Sequence, residues 1–189
     1  MRTQILEAAA RLFAERGYEG VSMRDISNEV GVTQANLYHH FRDKAALVEM
    51  MLAHVFESRA QSLNALLADP PHVDPLGTFV HWFYSALTSD RVFARLLYLE
   101  LWGGDEARID ALSRSILQTP FRTVVDAVAA DATAASAKRV ALSLIGFILG
   151  QVLVRPLAPG LVGQGVSSAA LENATRRVLP LLQQAWTKV

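Results

Sequence analysis

Apolar residues recur along this chain at helical spacing from its first turn. Ile5, Ala9, Leu12 and Phe13 fall at i, i+4, i+7 and i+8. That is one face of a helix, here predicted over Thr3 to Arg16 with Gly17 as its stop. Ser22, with Asp25 three residues on, reads as the N-cap of a second helix. Its stripe is Met23, Ile26 and Val30, and Gly31 breaks it. Thr33 caps a short third helix, Gln34 to His40, and Asp43 caps a fourth whose stripe is Leu47, Met51 and Val55. Sustained two-residue alternation and Asn-Gly or Asp-Gly hairpin turns do not occur, so strand signals are nearly absent. The pattern is that of an all-α protein.

Further along, residues 69–74 (Asp-Pro-Pro-His-Val-Asp) read as a loop. Asp74-Pro75 then supplies an N-cap with proline at the first helical position, and Thr119-Pro120 repeats that signal. Between them the spacing predicts helices over about 76–89 and 91–102, then Gly103-Gly104 and a short helix over about 105–117. Helices near 121–131 and 136–154 follow. The stretch from Pro156 to Gly165 is expected to be a loop, and the last helix covers about 167–188 with a kink at Pro180. Residues 140–154, VALSLIGFILGQVLV, are apolar almost all round. They are too few to span a bilayer and include Ser143 and Gln151, so they are expected as a buried helix, with no membrane partner.

Composition narrows the function classes. The 189 residues are 51% hydrophobic, ample for a core and too high for a disordered chain. Lysine plus arginine is 18 and aspartate plus glutamate is 18, so binding of nucleic acid by bulk charge is not expected. A few cations and helix N-termini set against phosphates remain compatible with that balance. There is no cysteine, which excludes disulfide frameworks and cysteine-ligated metal sites and suits a cytoplasmic location. The N-terminus lacks the pattern of a secretory signal. No GxGxxG after a strand, P-loop, HExxH or GxSxG occurs, so neither an enzyme nor a cofactor is expected.

One constellation carries chemistry. Residues 22–41 hold two short helices separated by Gly31-Val32, the layout of a DNA-binding helix-turn-helix whose second helix enters the major groove. Gly31 permits a positive φ at the tight turn. Val32 and Leu37 are apolar plugs that hold the two helices against the first. Thr33, Gln34 and Asn36 form the opening turn of the third helix. A Gln or Asn amide can bond adenine bidentately, and a Thr methyl can meet that of thymine. Tyr38 and His39, one turn later, can donate to phosphate oxygens. Phe41 reads as core, whereas Tyr38 fits either a core ring or a half-packed one with its hydroxyl at DNA. Arg24 and Lys44 each fit a phosphate contact or a solvated charge. His39, His40 and Asp43 do not make a metal site, because adjacent helical positions diverge by about 100°.

The run from Leu12 to Leu47, LFAERGYEGVSMRDISNEVGVTQANLYHHFRDKAAL, closely resembles the TetR family of transcription regulators. The residues that carry the resemblance are the aromatic-glycine lead-in, Arg-Asp-Ile, Gly-Val-Thr at the turn, Leu-Tyr-His-His-Phe, and Asp-Lys-x-x-Leu. It implies that Ser22, Arg24, Thr33, Gln34, Asn36, Tyr38, His39 and Lys44 face operator DNA. Two departures stand out. Ala35-Asn36 replaces a small residue followed by threonine, so base preference does not carry across. Only two residues precede the first helix, so an arm is limited to the N-terminus and Arg2.

The remaining chain is expected to be a helical sensor and dimerisation domain, residues 48–189, after a DNA-binding domain over 1–47. Each of its aromatics alone reads as core packing, but as a group they suit an apolar pocket with few polar groups. His81, Trp82, Phe93, Tyr98, Glu100, Trp102 and Phe121 are the expected ligand residues, for a small apolar or aromatic ligand. Gly146 and Gly150, four apart on an all-round apolar helix, would let another helix approach closely, and such a helix must be covered on every side. Pairing with the last helix (Leu171, Val178, Leu182, Trp186) and with the same pair from a second copy would do so. A four-helix homodimer interface of this kind is what the resemblance implies. Repression of a palindromic operator, relieved by ligand, is the default mechanism, and nothing in the sequence argues against activation. A helical adaptor or carrier without DNA binding would leave the 12–47 motif idle.

Overall fold

The computed structural model describes residues 1–68, 74–129, 133–163 and 167–187. They form helices α1 (Arg2–Arg16), α2 (Met23–Val30), α3 (Gln34–His40), α4 (Lys44–Ala68), α5 (Pro75–Ser89), α6 (Arg91–Gly103) and α7 (Glu106–Leu112). A π-helical turn (Ser113–Leu117) leads into α8 (Gln118–Val128). Then come α9 (Ala134–Val154), a 3₁₀ turn (Arg155–Leu157), α10 (Ala158–Val162) and α11 (Ser168–Thr187). No strand occurs among the described residues.

Side-chain caps start most of these helices, because the first backbone N–H groups of a helix have no partner inside it. Thr33 Oγ1 accepts from the Asn36 N–H at 3.2 Å, Asp43 Oδ1 from Ala46 at 2.7 Å and Asp74 Oδ1 from Gly77 at 2.9 Å. Asp90, Asp105 and Thr133 do the same for α6, α7 and α9.

Two expectations fail. Thr119-Pro120 does not open a helix: Pro120 is buried inside α8, directly after the π turn. That wider turn opens the spiral where the proline ring would otherwise press on the carbonyl of residue 116. The expected loop from Pro156 is helical as far as residue 162. Pro156 and Pro159 lie in the first turns of their segments, where a missing N–H costs nothing, and Gly163 stops the run at φ 77°. Residues 69–73, 130–132, 164–166 and 188 of the expected loops and helices lie outside the described residues.

The chain forms two compact units. The first comprises residues 1–61 and 90–117, the second 62–89 and 118–189. In the first, α1 packs on both α2 and α6. Its buried side chains, Ile5, Leu6, Ala8, Ala9, Ala10, Leu12, Phe13 and Ala14, run nearly round the helix because it is covered on two sides. Three consecutive alanines keep those neighbours close. Leu47, Met51, Leu52 and Phe56 of α4 are fully or almost fully buried in this unit, where Phe56 meets Phe93 at 5.5 Å.

In the second unit α9 packs against α5, α8 and α11. Ala137, Val140, Ala141, Leu144 and Ile148 are its inner face. Trp186 Nε1 donates to Ser143 Oγ at 3.1 Å, and Ser136 Oγ to the Trp186 carbonyl at 3.3 Å, pinning the end of α11 to the start of α9. On the outer face Leu142, Gly146 and Leu153 are exposed, and Leu181 of α11 is exposed as well. Counted through α10, residues Ala134–Leu161 form a helical run of 28 residues, long and apolar enough to cross a membrane by length and composition. The expectation from residues 140–154 alone is corrected there, because the run continues at both ends.

Candidate nucleic-acid interface

The turn that sets α3 is built from short-range bonds. Ser22 Oγ accepts from the Asp25 N–H at 3.2 Å, while Asp25 Oδ2 accepts from the Ser22 N–H at 2.7 Å and from its hydroxyl at 2.5 Å. This reciprocal box starts α2 and holds the Asp25 carboxyl below its ordinary range, chiefly through the Ser22 hydroxyl and then its backbone. Gly31 closes α2 in the left-handed region, φ 73° and ψ 32°, a conformation that L side chains rarely adopt. Val32 N–H returns to the Ser27 carbonyl at 2.9 Å, and α3 begins two residues later.

Leu37 and Phe41 anchor α3, with 0% and 2% exposure. The rest of that helix faces outward: Thr33, Gln34, Ala35, Asn36, His39 and His40 are exposed, and Tyr38 is half exposed at 50%. Among the described residues, the side chains of Gln34, Asn36, Tyr38 and His39 have no hydrogen-bond partner in the protein. A row of donors and acceptors on a rigid helix, with none satisfied internally, is what base and phosphate recognition requires. Thr33 accepts a bond from Asn36 N–H, and its hydroxyl hydrogen remains available to donate.

The structure distinguishes the cations. Arg24 is exposed beside Asp25. Lys44 is half-buried, its ammonium 5.9 Å from the centre of the Phe13 ring. Arg2 does not form an arm: it begins α1, lies 5.9 Å from the Phe41 ring centre and donates to Met50 Sδ at 3.2 Å. Ser22 is exposed, with its hydroxyl engaged in the cap. Arg42 escaped the sequence reading, and Ala35 entered it only as a departure from the family pattern. Arg42, at the α3–α4 corner, has an 81% exposed side chain and pairs with Asp43 at 3.1 Å. Ala35 puts an exposed methyl on the reading helix. A cation just before a capping aspartate is the signal that would have found Arg42.

The seven expected ligand residues are divided between the units. In the first, Phe93 is sealed at 3% exposure and Trp102 projects into solvent at 95%. Tyr98 is half-buried, and burial pushes its phenol up. Glu100 is buried, with both oxygens taken by Arg108 at 2.9 and 3.0 Å. In the second, His81 is exposed and Phe121 half-buried. Trp82 stacks on Phe83 and donates to Ser62 Oγ at 2.8 Å. A cleft of about 470 Å³ in this unit is lined instead by Leu87, Thr88, Val152, Arg155, Pro156 and Pro159.

Comparison with known proteins agrees with this interface. Residues 5–51 match the bacterial regulatory proteins of the tetR family. The chain is 45% identical over 51 residues to the HTH-type transcriptional repressor KstR2 of Rhodococcus jostii, covering 27% of this chain and 25% of that protein. It is 40% identical over 76 residues to the HTH-type transcriptional regulator TtgR of Pseudomonas putida, covering 40% of this chain and 36% of the relative. These matches thus span about a quarter to a third of the curated relatives. The crystal structure of the transcriptional regulator FadR from Bacillus subtilis, in complex with stearoyl-CoA, has the same fold. Its TM-score is 0.75 at 17% identity, covering 95% of this chain and 97% of that one. The N-terminal helices are thus similar to those of the tetR family of bacterial regulatory proteins, and the fold that continues from them is that of the FadR structure.

Proposed function

We propose that the protein is a ligand-responsive, DNA-binding transcription regulator, acting as a two-fold dimer on a near-palindromic operator and, in its simplest mode, as a repressor. The observation that carries this reading is the outward row on α3. Gln34, Asn36, Tyr38 and His39 have no internal partner and stand on the Leu37 and Phe41 anchor. Residues 1–47 would do the reading, in the cytoplasm where the chromosome lies. A chain with 18 cations and 18 anions must bind DNA by local placement, and Arg24, Arg42 and Lys44 supply cations around the row.

The dimer rests on the second apolar face of α9. Leu142, Gly146, Leu149 and Leu153 repeat at i, i+4, i+7 and i+11, opposite the buried face, and Leu181 of α11 is exposed as well. A single-sided stripe suits a second copy of the same helices better than lipid, because its opposite side is already committed to the protomer core. The cleft beside Leu87, Val152 and Pro156 supports an apolar ligand. So does a neighbour of the same fold solved with stearoyl-CoA. His81, Trp82 and Phe121, which belong to the same unit as the cleft, stay candidates for orienting it.

Selection from a randomised duplex pool tests the reading. The protein should enrich an inverted repeat, with binding that weakens steeply as salt rises. Binding without sequence enrichment, or enrichment of one half-site by a monomer, would overturn it.

A further inference from the structure

Glu100 is a buried carboxylate in the last turn of α6, and nothing in DNA reading accounts for it. Arg108, in the first turns of α7, meets it with two parallel bonds, Nε to Oε2 at 2.9 Å and Nη2 to Oε1 at 3.0 Å. The corner between them is tightly built. A side chain at Gly104 would meet the Glu100 carbonyl at 2.5 Å and Oε2 at 2.8 Å, so only glycine fits beneath the carboxylate. Asp105 caps α7 by accepting from the Arg108 N–H at 3.0 Å, which fixes the backbone that carries the guanidinium.

This corner grips the DNA-reading helices. The Arg108 guanidinium lies 5.4 Å from the centre of the Tyr18 ring, whose other contact is Phe13 of α1 at 5.5 Å. Tyr18 sits in the turn between α1 and α2, four residues ahead of the Ser22 box. Its buried hydroxyl has no hydrogen bond of ordinary geometry. Burial, and next the neighbouring Glu100 carboxylate, pushes the phenol far up and keeps it neutral. The ring is the part these contacts use: the Arg108 guanidinium lies over it, and Phe13 of α1 meets it at a tilt of 59°.

We propose that Glu100 and Arg108 are positioning residues for DNA binding, a charged corner that holds the Tyr18 ring and so sets the α1–α2 turn that aims the reading helix. This rests on the DNA-binding reading above and adds a route for its control. From α7 the chain passes through the π turn at 113–117 into the second unit at 118. Such turns are rare in helices and frequent at functional sites. Control then requires only that a ligand prefer one arrangement of α7 over another.

The test uses the full-length protein and a duplex recovered by selection with the wild type. Glu100→Gln with Arg108→Met removes both charges together and leaves no lone buried ion. It should weaken the selected duplex by about 5- to 150-fold, the usual range of coupling between sites. Helix content should be unchanged, at a temperature far below unfolding where stability alone does not move affinity. Amide exchange over residues 17–30 should speed up. Tyr18→Phe keeps the ring and should bind as the wild type does, while Tyr18→Leu should match the double variant. Arg108→Lys, which keeps the charge but loses the fork and the flat face, should fall between. Unchanged affinity and unchanged exchange in a folded double variant would overturn the proposal, as would equal losses in Tyr18→Phe and Tyr18→Leu. If the wild type selects no duplex, the DNA-binding reading fails and this proposal with it. Selection by the wild type with full retention by the double variant fails this proposal alone.

Discussion

Replacing Gly146 by leucine should push protomer folding and dimerisation in opposite directions. A Cβ added at Gly146 would meet no described atom within 4 Å beyond its chain neighbours and its own helix backbone, and the same holds at Gly150. Glycine inside a helix costs roughly 0.5–1 kcal/mol relative to alanine. Each protomer should thus fold no worse, and slightly better. Among the described residues nothing stands against a Cβ there, so the proposed partner helix is what a larger side chain would meet. If α9 approaches its copy over the Leu142, Gly146, Leu149, Leu153 stripe, the added isobutyl group overpacks that seam by about 1–3 kcal/mol. Two-fold symmetry places the substitution on both sides, giving about 2–6 kcal/mol, or roughly a 30- to 20,000-fold weaker dimer at 1.4 kcal/mol per decade.

Sedimentation velocity across a dilution series measures the dimer constant, and urea unfolding at two protein concentrations measures folding. The wild-type midpoint should rise with concentration because association stabilises the folded state, whereas that of Gly146→Leu should not. Operator binding should fall with the dimer constant. A Gly146→Leu protein that dimerises as well as the wild type would show that this stripe is not the seam.

Gln34→Ala should relax base preference at one operator position and cost about 1–3 kcal/mol there, read by repeating the selection; retained preference would remove Gln34 from the bases. Arg42→Ala should weaken all duplexes alike and flatten the salt dependence by about one phosphate, with a smaller change for Lys44→Ala, whose ammonium rests on Phe13. The Asp25 carboxyl is held below its ordinary value of 3.8, so its contribution to stability is present above that pH and is lost as pH falls through the lower folded value. Asp25→Asn should flatten acid unfolding below about pH 4, and an unchanged acid limb would show that the box does not couple to folding. Gly104→Ala should destabilise by about 1–3 kcal/mol in urea, since the methyl would strike the Glu100 carbonyl and carboxylate; a neutral result would mean the corner yields.

What the sequence made legible is what a few neighbouring residues decide. Ser22, Thr33, Asp43 and Asp74 cap helices by bonds to the residue three positions on, so spacing alone identified them. Gly31 was legible for the same reason. Thr119-Pro120 carried an equally good local signal and misled, because the π turn before it changes the geometry the proline meets. Glu100 stood out in the sequence as a carboxylate among apolar neighbours, expected at a ligand. Its partner lies eight residues on, across a corner that only Gly104 allows, and helical spacing says nothing about corners. The aromatics are divided between the two units, which composition could not tell. Composition counts rings without locating them, and Trp102 in solvent and Phe93 in the core give the same signal. Helix α9 runs the other way. An apolar pattern all round demanded two coverings, and the protomer supplies one, over Ala137, Val140, Leu144 and Ile148. The stripe left over, Leu142 to Leu153, has the periodicity of a packed face. A face patterned to be buried, and left open by the described residues at Leu142 and Leu153, is the one that the proposed second copy would close.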